Sequence, residues 1–249
     1  MAAGASLKVL AIAVALLASA CTSPAATSDQ SARPNAAIGS TPQRTPSGLP
    51  GFKSTYTFDF PRLDAPGKPF PKVLVGVPDG WVSYKGFALR SPGVLTVSFW
   101  NVTDVYANSC HWLGPMIHPG QTVDGLAAVI AGRPLRNATA PVAVSLGGYA
   151  GKYLEWSVPV EVHFSDCDQG PGDTQSWFES WTGRMLWNAP DNLSGTTDRY
   201  QQGPGQVDRL WILDVEGRRL VIDATYMPGS STQDRALLQQ VVDSIAFKP

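Results

Sequence analysis

The segments RLWILDV, residues 209–215, and RLVIDATY, residues 219–226, decide the fold class of this chain. Both are rich in the aliphatic and aromatic residues that favour β-strands. The short segment Glu216-Gly217-Arg218 lies between them and contains the glycine that a tight turn prefers. Two such runs around a glycine-containing turn predict an antiparallel hairpin.

Period-two alternation extends the predicted sheet in both directions along the chain. In residues 95–100, Leu95, Val97 and Phe99 are apolar and alternate with the residues between them. Residues 154–164 keep the same alternation, with Pro159 on the opposite face. Alternation of this kind is typical of half-buried strands. The proline predicts an edge position or a bend, because it has no N–H to give to a neighbouring strand.

A first helix is predicted to follow Thr122, which can cap the helix start through its hydroxyl oxygen. Val123, Leu126, Ala127, Val129 and Ile130 provide the apolar face, and the helix is expected to end near Gly132 and Pro134.

A second helix is predicted to begin at Ser230 or Ser231, with Gln233 or Asp234 at the position of a capping box. Its apolar residues form one stripe that should lie on the sheet. They are Leu238, Val241, Val242 and Ile245.

Strands dominate, helices are few, and the last helix follows the long hairpin directly. This order predicts an α+β fold, an antiparallel β-sheet flanked by helices, in one domain over residues 51–249. Residues 21–50 contain mostly Ser, Thr, Pro, Ala, Gly, Gln and Asn. Such a segment buries too little apolar surface to offset its ordering entropy, so it is predicted to be a disordered tether.

The first twenty residues have the layout of a lipoprotein signal peptide. Lys8 precedes the apolar run Val9–Ala20, which is too short for a membrane-spanning helix of about 20 apolar residues. Leu17-Ala18-Ser19-Ala20-Cys21 is typical of a bacterial lipobox, so Cys21 is the predicted site of lipid attachment. Ala18-Ser19-Ala20 also fits an ordinary signal peptidase site. A freely secreted protein and an uncleaved anchor therefore remain open.

The chain contains three cysteines, an odd number for an exported protein. If Cys21 carries lipid, Cys110 and Cys167 are left to form a disulfide in an oxidising compartment. The alternative is a pair of buried free thiols.

Charge composition excludes one class of partner. The chain carries 19 Lys and Arg residues against 20 Asp and Glu residues, without a basic run. A near-neutral balance of this kind argues against nucleic acid as a partner.

The best binding candidate is an aromatic set near residue 180. Trp177 and Trp181 alternate with Glu179 along one predicted strand face, with Trp187 and Tyr200 nearby. If that face is exposed, the rings can bind a sugar, a lipid or a peptide. If a helix covers it, the tryptophans belong to the core.

No motif in the chain predicts catalysis, a metal site or a cofactor. The histidines His111, His118 and His163 are scattered, without the paired spacing of a zinc site. There is no Gly-x-Ser-x-Gly nucleophile elbow. Asp166-Cys167-Asp168-Gln169-Gly170 faintly resembles a calcium loop, but the remaining ligand positions do not fit.

Two stretches resemble an extracytoplasmic domain found in actinobacterial lipoproteins. They are Gly147–Trp156 and Tyr200–Trp211, the latter followed by Leu220–Ala224. More loosely, the closing strand, turn and helix with Ser244-Ile245-Ala246-Phe247 are similar to PsbP-like proteins, including the LpqN-like mycobacterial lipoproteins. That resemblance implies an αβα sandwich around an antiparallel sheet, often a binding or accessory module.

Together these features lead to one favoured hypothesis and two alternatives. The favoured one is a lipoprotein on the outer face of the cell membrane, whose non-enzymatic domain binds an envelope protein, a lipid or a glycan. The first alternative is an envelope hydrolase or transferase with a distributed active site, which requires a histidine, a carboxylate and a hydroxyl in contact. The second is an assembly role through an exposed apolar patch.

Overall fold

A computed structural model describes residues 52, 54–85, 87–93, 95–184 and 196–249 of the chain. The predicted signal peptide (residues 1–20), Cys21, the predicted tether and Trp187 lie outside these residues. The described part of the chain belongs to one compact unit. None of its helices is long and apolar enough to cross a membrane.

The described part of the chain is mostly β-structure. The strands are β1 (Ser54–Phe58), β2 (Lys72–Val77), β3 (Val82–Tyr84), β4 (Ala88–Arg90), β5 (Thr96–Tyr106), β6 (Met116–Ile117), β7 (Asn137–Ala138), β8 (Val142–Leu146), β9 (Tyr149–Ser157), β10 (Glu179–Arg184), β11 (Thr196–Tyr200), β12 (Val207–Val215), β13 (Arg218–Tyr226) and β14 (Ala246–Lys248). The helices are α1 (Val123–Ala131) and α2 (Thr232–Asp243), with single 3-10 turns at Pro61–Leu63 and Phe164–Asp166.

In the described residues the strands form two sheets. The larger sheet has the order β11-β10-β5-β13-β12-β9-β7, and the smaller has the order β1-β2-β14. In the larger sheet β4 and β6 also pair with β5, β3 pairs with β4, and β8 pairs with β9. Every pairing between these strands is antiparallel. This confirms the predicted antiparallel sheet with two helices.

The central hairpin is β12 and β13, as the sequence predicts. Val207 pairs with Tyr226 at one end and Val215 with Arg218 at the other. The turn therefore has two residues, Glu216 and Gly217, instead of the three that the sequence suggested. Both have positive φ, 54° and 80°, the combination that matches the twist of paired strands.

The predicted strand through residues 154–164 is wrong over its second half. Strand β9 ends at Ser157, and the next residues leave the sheet. The N–H of Val158 donates to the carbonyl of Gln206, and the N–H of Val162 closes a turn on the carbonyl of Pro159. The proline has no N–H for a neighbouring strand. Beyond it Val162 packs in a turn while Val160 is 75% exposed, so the alternation there does not mark a strand face.

Both predicted helices are confirmed, with their caps. The Thr122 hydroxyl accepts a hydrogen bond from the N–H of Gly125 at the start of α1, and Gly132 is the C-cap at its end. At the start of α2, Ser231 and Asp234 form a capping box through reciprocal hydrogen bonds. These bonds satisfy donors that the first turn of a helix otherwise leaves free.

The two helices contribute to different apolar clusters. Trp211 and Leu213 of β12 lie in the cluster that contains the buried residues of α2. Leu210 and Ile212 of the same strand lie in the cluster that contains those of α1. Because successive residues of a strand point to opposite faces, each helix belongs to a different face of the central hairpin.

A third, smaller cluster surrounds two cysteines. Cys110 and Cys167 are at disulfide distance, with their sulfur atoms 2.13 Å apart, and they pack with Val158, Val162 and Phe178. This confirms the predicted pairing of the two cysteines. The bridge links the chain that follows β5 to the 3-10 turn at Phe164–Asp166.

Candidate functional site

A cavity of about 220 Å³ lies beside the first half of β5. The β3–β4 hairpin provides one wall, and β11 provides another. The floor comes from β5 and β13, which pair with each other at Ser98 and Asp223. The cavity is therefore lined by five strands, of which β11 and β13 lie far from the other three in the sequence.

Aromatic rings line much of the cavity wall. The ring of Phe87 packs edge-on against that of Trp100, with centroids 5.4 Å apart, and lies 6.1 Å from that of Tyr84. Tyr200 lines the cavity from β11, and its side chain is 44% exposed. The indole N–H of Trp100 donates to the Ser98 hydroxyl at 2.8 Å, which fixes its ring plane.

One face of β5 supplies the cavity floor. Thr96, Ser98 and Trp100 line the cavity, whereas Val97 and Phe99 between them are buried in the cluster beneath α2. The same period-two alternation that predicted a strand here also separates these two roles. The sequence signal was therefore present, although it identified the strand rather than the binding surface.

A buried ionic network lies directly under the floor. Arg199 reaches from β11 over β13, where its Nε donates to Asp223 at 2.7 Å and its Nη2 to Asp208 at 3.1 Å. The same Nη2 also donates to the Thr225 hydroxyl at 2.8 Å, and Nη1 donates to the carbonyl of Tyr200. All nitrogens of the guanidinium are thus engaged, and two carboxylates balance its charge.

The network continues away from the cavity through neutral side chains to a second buried arginine. The Gln206 amide donates to Asp208 at 2.7 Å and also contacts Gln201. Gln201 in turn donates to the Ser180 hydroxyl, which also accepts from Arg136.

The second arginine, Arg136, lies against two aromatic rings. Its guanidinium stacks 4.1 Å from the ring of Trp156 and 4.6 Å from that of Phe178. Burial lowers the pKa of Arg136 to about 9, although Asp208 opposes this shift.

Glu179 carries the strongest electrostatic perturbation among the carboxyl groups of this region. Its side chain is 6% exposed, and its Oε2 atom has no hydrogen-bond partner among the described residues. Burial and the nearby Asp198 raise its pKa to about 8, despite opposing effects from Arg199 and Arg136. At neutral pH the protonated, uncharged form of the carboxyl group therefore predominates.

Burial also raises the pKa of Asp223, and the proximity of Asp208 adds to this. The hydrogen bond and the charge of Arg199 act in the opposite direction and favour the ionised form. Clusters of shifted groups beside a cavity are typical of functional sites.

The predicted aromatic set is divided between core and surface. Trp181 is fully buried and stacks on Trp156, with centroids 5.7 Å apart and ring planes within 7°. Trp177 precedes β10, is partly buried, and contacts the ring of Tyr200 at 5.0 Å. Among the described members of the set, Tyr200 alone lines the cavity. Sequence reasoning missed Tyr84, Phe87 and Trp100, which come from a different part of the chain.

The histidines lie apart from this cavity. His111 and His118 contact Asp168 and Asp104 at the surface, at 3.3 Å and 3.1 Å. In the described part of the chain, no hydroxyl group is hydrogen-bonded to either imidazole. Within the same residues, no group of three His, Cys, Asp or Glu side chains is placed to bind a metal ion.

A second, larger cavity of about 510 Å³ lies at the start of α1, and its described lining contains no aromatic residue. Its charged groups already have partners. Lys152 pairs with Asp124 at 3.3 Å, and Arg219 donates to the carbonyls of Gly120 and Thr122. The aromatic cavity is consequently the better candidate, because it combines ring surfaces with polar groups whose hydrogen bonds are not all used.

Comparison with known proteins adds no relative: no family model, curated protein or solved structure matches the chain.

Proposed function

We propose that this protein is a lipid-anchored envelope lipoprotein whose domain binds a small, ring-containing ligand without chemically converting it. The aromatic cavity carries this proposal. A volume of about 220 Å³ is below the roughly 300–1,000 Å³ typical of drug-sized pockets, and it suits a single ring. The lining supplies flat aromatic faces together with hydroxyl, amide and charged groups.

A saccharide unit is the ring that fits this chemistry best. A sugar ring has an apolar C–H face that packs on an aromatic ring, and hydroxyl groups around its edge that form hydrogen bonds. Phe87 and Tyr200 offer ring surface on different walls of the cavity, while Asp198 and Gln202 offer polar groups. A lipid chain would leave these polar groups without partners, which is costly when they are removed from water.

The proposed location is the outer face of the cell membrane, with Cys21 carrying the lipid. We further propose that the domain is a PsbP-like αβα sandwich. The placement of α1 and α2 in clusters on opposite faces of the central hairpin supports this arrangement. No nucleic-acid partner, cofactor or metal is part of the proposal.

Binding is tested with the full-length chain and three probes: glucose, N-acetylglucosamine and glycerol as a non-ring polyol. The indole N–H signal of Trp100 is followed by NMR during titration. We expect both sugars to shift this signal in a saturable way, and glycerol to leave it unchanged. Substituting Phe87→Ala or Tyr200→Ala should weaken binding at least about tenfold. This change corresponds to the loss of roughly 1.4 kcal/mol of contact between the aromatic ring and the ligand.

The matched control is Tyr226→Ala, because Tyr226 packs against the cluster on the α2 side, away from the cavity. Its sugar affinity should equal that of the unmodified protein. Absence of a saturable shift with either sugar would overturn the saccharide proposal.

The anchor has a separate test. Cys21→Ala should move the protein from the membrane fraction to the soluble fraction, while Cys110→Ala should leave its membrane association intact. Retention of the Cys21→Ala variant in the membrane fraction would overturn lipid attachment at this residue.

A further inference from the structure

Two cationic side chains line the cavity without a carboxylate partner among the described residues. Lys85 and Arg90 lie on the β3–β4 hairpin and line the cavity. Both face the ring of Tyr84: the Lys85 ammonium is 5.3 Å and the Arg90 guanidinium 4.8 Å from its centroid. Within the described residues neither side chain forms a hydrogen bond or an ion pair. A cation–π contact holds such a group in place while leaving its N–H donors available.

The rest of the lining does not neutralise these two charges. Asp198 is the one carboxylate among the described lining residues, and one of its oxygens accepts a hydrogen bond from the Tyr106 hydroxyl at 2.8 Å. The third cation of the lining, Arg199, is already balanced by Asp208 and Asp223 beneath the floor. The cavity therefore has an excess of positive charge on the β3–β4 side.

The fixed orientation of Arg90 favours a particular kind of anion. A guanidinium presents N–H groups in a planar fork, which matches the two oxygens of a carboxylate. Lys85 supplies a second charge at the same tyrosine ring. A ring that stacks in the cavity can thus place an acidic substituent toward Arg90 and Lys85.

We infer that the ligand of the aromatic cavity is an acidic saccharide, whose carboxylate is bound by Arg90 and Lys85. This inference rests on the proposed saccharide-binding function and adds the charge of the ligand. Asp198 lies on the β11 side of the cavity, where it accepts hydrogen bonds from ring hydroxyls.

The test compares three probes of similar size with the full-length chain: glucuronate, glucose and glucosamine. We expect glucuronate to bind at least about tenfold more tightly than glucose at low salt, because one charge-assisted hydrogen bond contributes about this much to affinity. Glucosamine, which is cationic, should bind more weakly than glucose. Raising the salt concentration should reduce the advantage of glucuronate and leave glucose binding unchanged.

Substitution locates the effect. Arg90→Gln should reduce the preference for glucuronate over glucose to about twofold or less, and Lys85→Gln should reduce it partly. Arg235→Gln is the matched control, because Arg235 also lies over a tyrosine ring, 5.8 Å from the centroid of Tyr226, but outside the cavity lining. It should keep the full preference.

The outcomes separate the two proposals. Equal affinities for glucose and glucuronate, or a preference that survives Arg90→Gln, would overturn the acidic-ligand inference while leaving saccharide binding intact. Binding of none of the three probes would overturn the proposed function itself. A far-UV circular dichroism spectrum and a urea midpoint equal to those of the unmodified protein would show that the Arg90→Gln variant is still folded.

Discussion

The two faces of the central sheet are formed by the same strands but carry different side chains. On the α2 face, β5, β12 and β13 present a continuous apolar surface. Its buried residues include Val97, Phe99, Trp211, Leu213, Leu220, Ile222 and Ala224. On the α1 face, the apolar surface gives way to a polar region toward the cavity. Its buried residues include Ser98, Asp208, Asp223 and Thr225.

The two faces therefore differ in how much they contribute to the stability of the fold. Apolar burial of the α2 face stabilises the domain at roughly 25 cal/mol for each Å² removed from water. A buried ionic network provides no such dependable gain, because removing charges from water offsets much of their attraction. Arg199, Asp208 and Asp223 are nevertheless buried together, directly under the floor of the cavity.

The largest expected effect is the loss of Arg199. Arg199→Met should lower the free energy of unfolding by about 3–5 kcal/mol, because Asp208 and Asp223 would remain buried without their cation. Arg209→Met is the counterpart on the α2 face, where Arg209 pairs with the partly exposed Glu155 at 3.2 Å. Its expected loss is about 1 kcal/mol or less. Urea unfolding measures both, and equal losses would contradict the distinction between the faces.

Glu179→Gln should change how stability depends on pH. The pKa of Glu179 is raised from 4.5 to about 8 in the folded protein, so the folded state holds an extra proton between these values. The free energy of unfolding of the unmodified protein therefore falls as pH rises through this range. The Glu179→Gln variant has no carboxyl group at this position, so its free energy of unfolding does not fall for this reason.

Relative to the unmodified protein, the Glu179→Gln variant should be close to equal in stability at pH 4.5 and roughly 2–4 kcal/mol more stable at pH 8. Thermal and urea unfolding at both pH values measure the difference. A constant difference at the two values would show that the carboxyl group titrates normally.

Two nearly isosteric substitutions, one on each face, compare the apolar and the polar side of the sheet directly. Val97→Thr places a hydroxyl in the apolar α2 face and should cost about 1–3 kcal/mol of stability. Thr225→Val removes the hydroxyl that bonds Arg199, Asp208 and Asp223, and should cost about 1–2 kcal/mol. If Thr225→Val instead stabilised the protein, the polar region would be dispensable for folding. Chemical denaturation again provides the measurement.

The smallest expected effects are at the helix caps. Thr122→Ala and Ser231→Ala should each lower the free energy of unfolding by about 1 kcal/mol, because each leaves N–H groups of a first helical turn without an acceptor. Ser231→Ala should have the larger effect, since it breaks the reciprocal bonds of the capping box. Asn at either position should restore most of the loss.

Local signals in the sequence predicted the local structure well. Thr122 and Ser231 mark the helix starts because their hydroxyls can accept bonds from N–H groups only a few residues away. The alternation before and after Gly217 predicted the central hairpin for a similarly local reason. The alternation after Pro159 was misleading, because Val162 packs against the cysteine pair in a turn whereas Val160 is exposed.

The cavity could not be predicted from short segments of the sequence. Tyr84, Trp100 and Tyr200 are separated by many residues, and nothing near any of them in the sequence shows that they share a cavity. The tryptophan set near residue 180 looked equally suited to binding, yet Trp181 is buried against Trp156 of another strand. Exposure depends on which strand lies above a side chain, and that is decided by long-range pairing.

The sequence by itself determined the central hairpin, the strand at residues 95–100 and both helices, because periodicity and capping act over short distances. The cysteine count favoured the pairing of Cys110 with Cys167 and left two free thiols as the alternative. Only the tertiary structure decided that Arg199 crosses from β11 to Asp223, and that the β3–β4 hairpin closes a cavity over β5. These contacts join residues that are distant along the chain. The free energy that selects them comes from the packing of the whole domain rather than from any one segment.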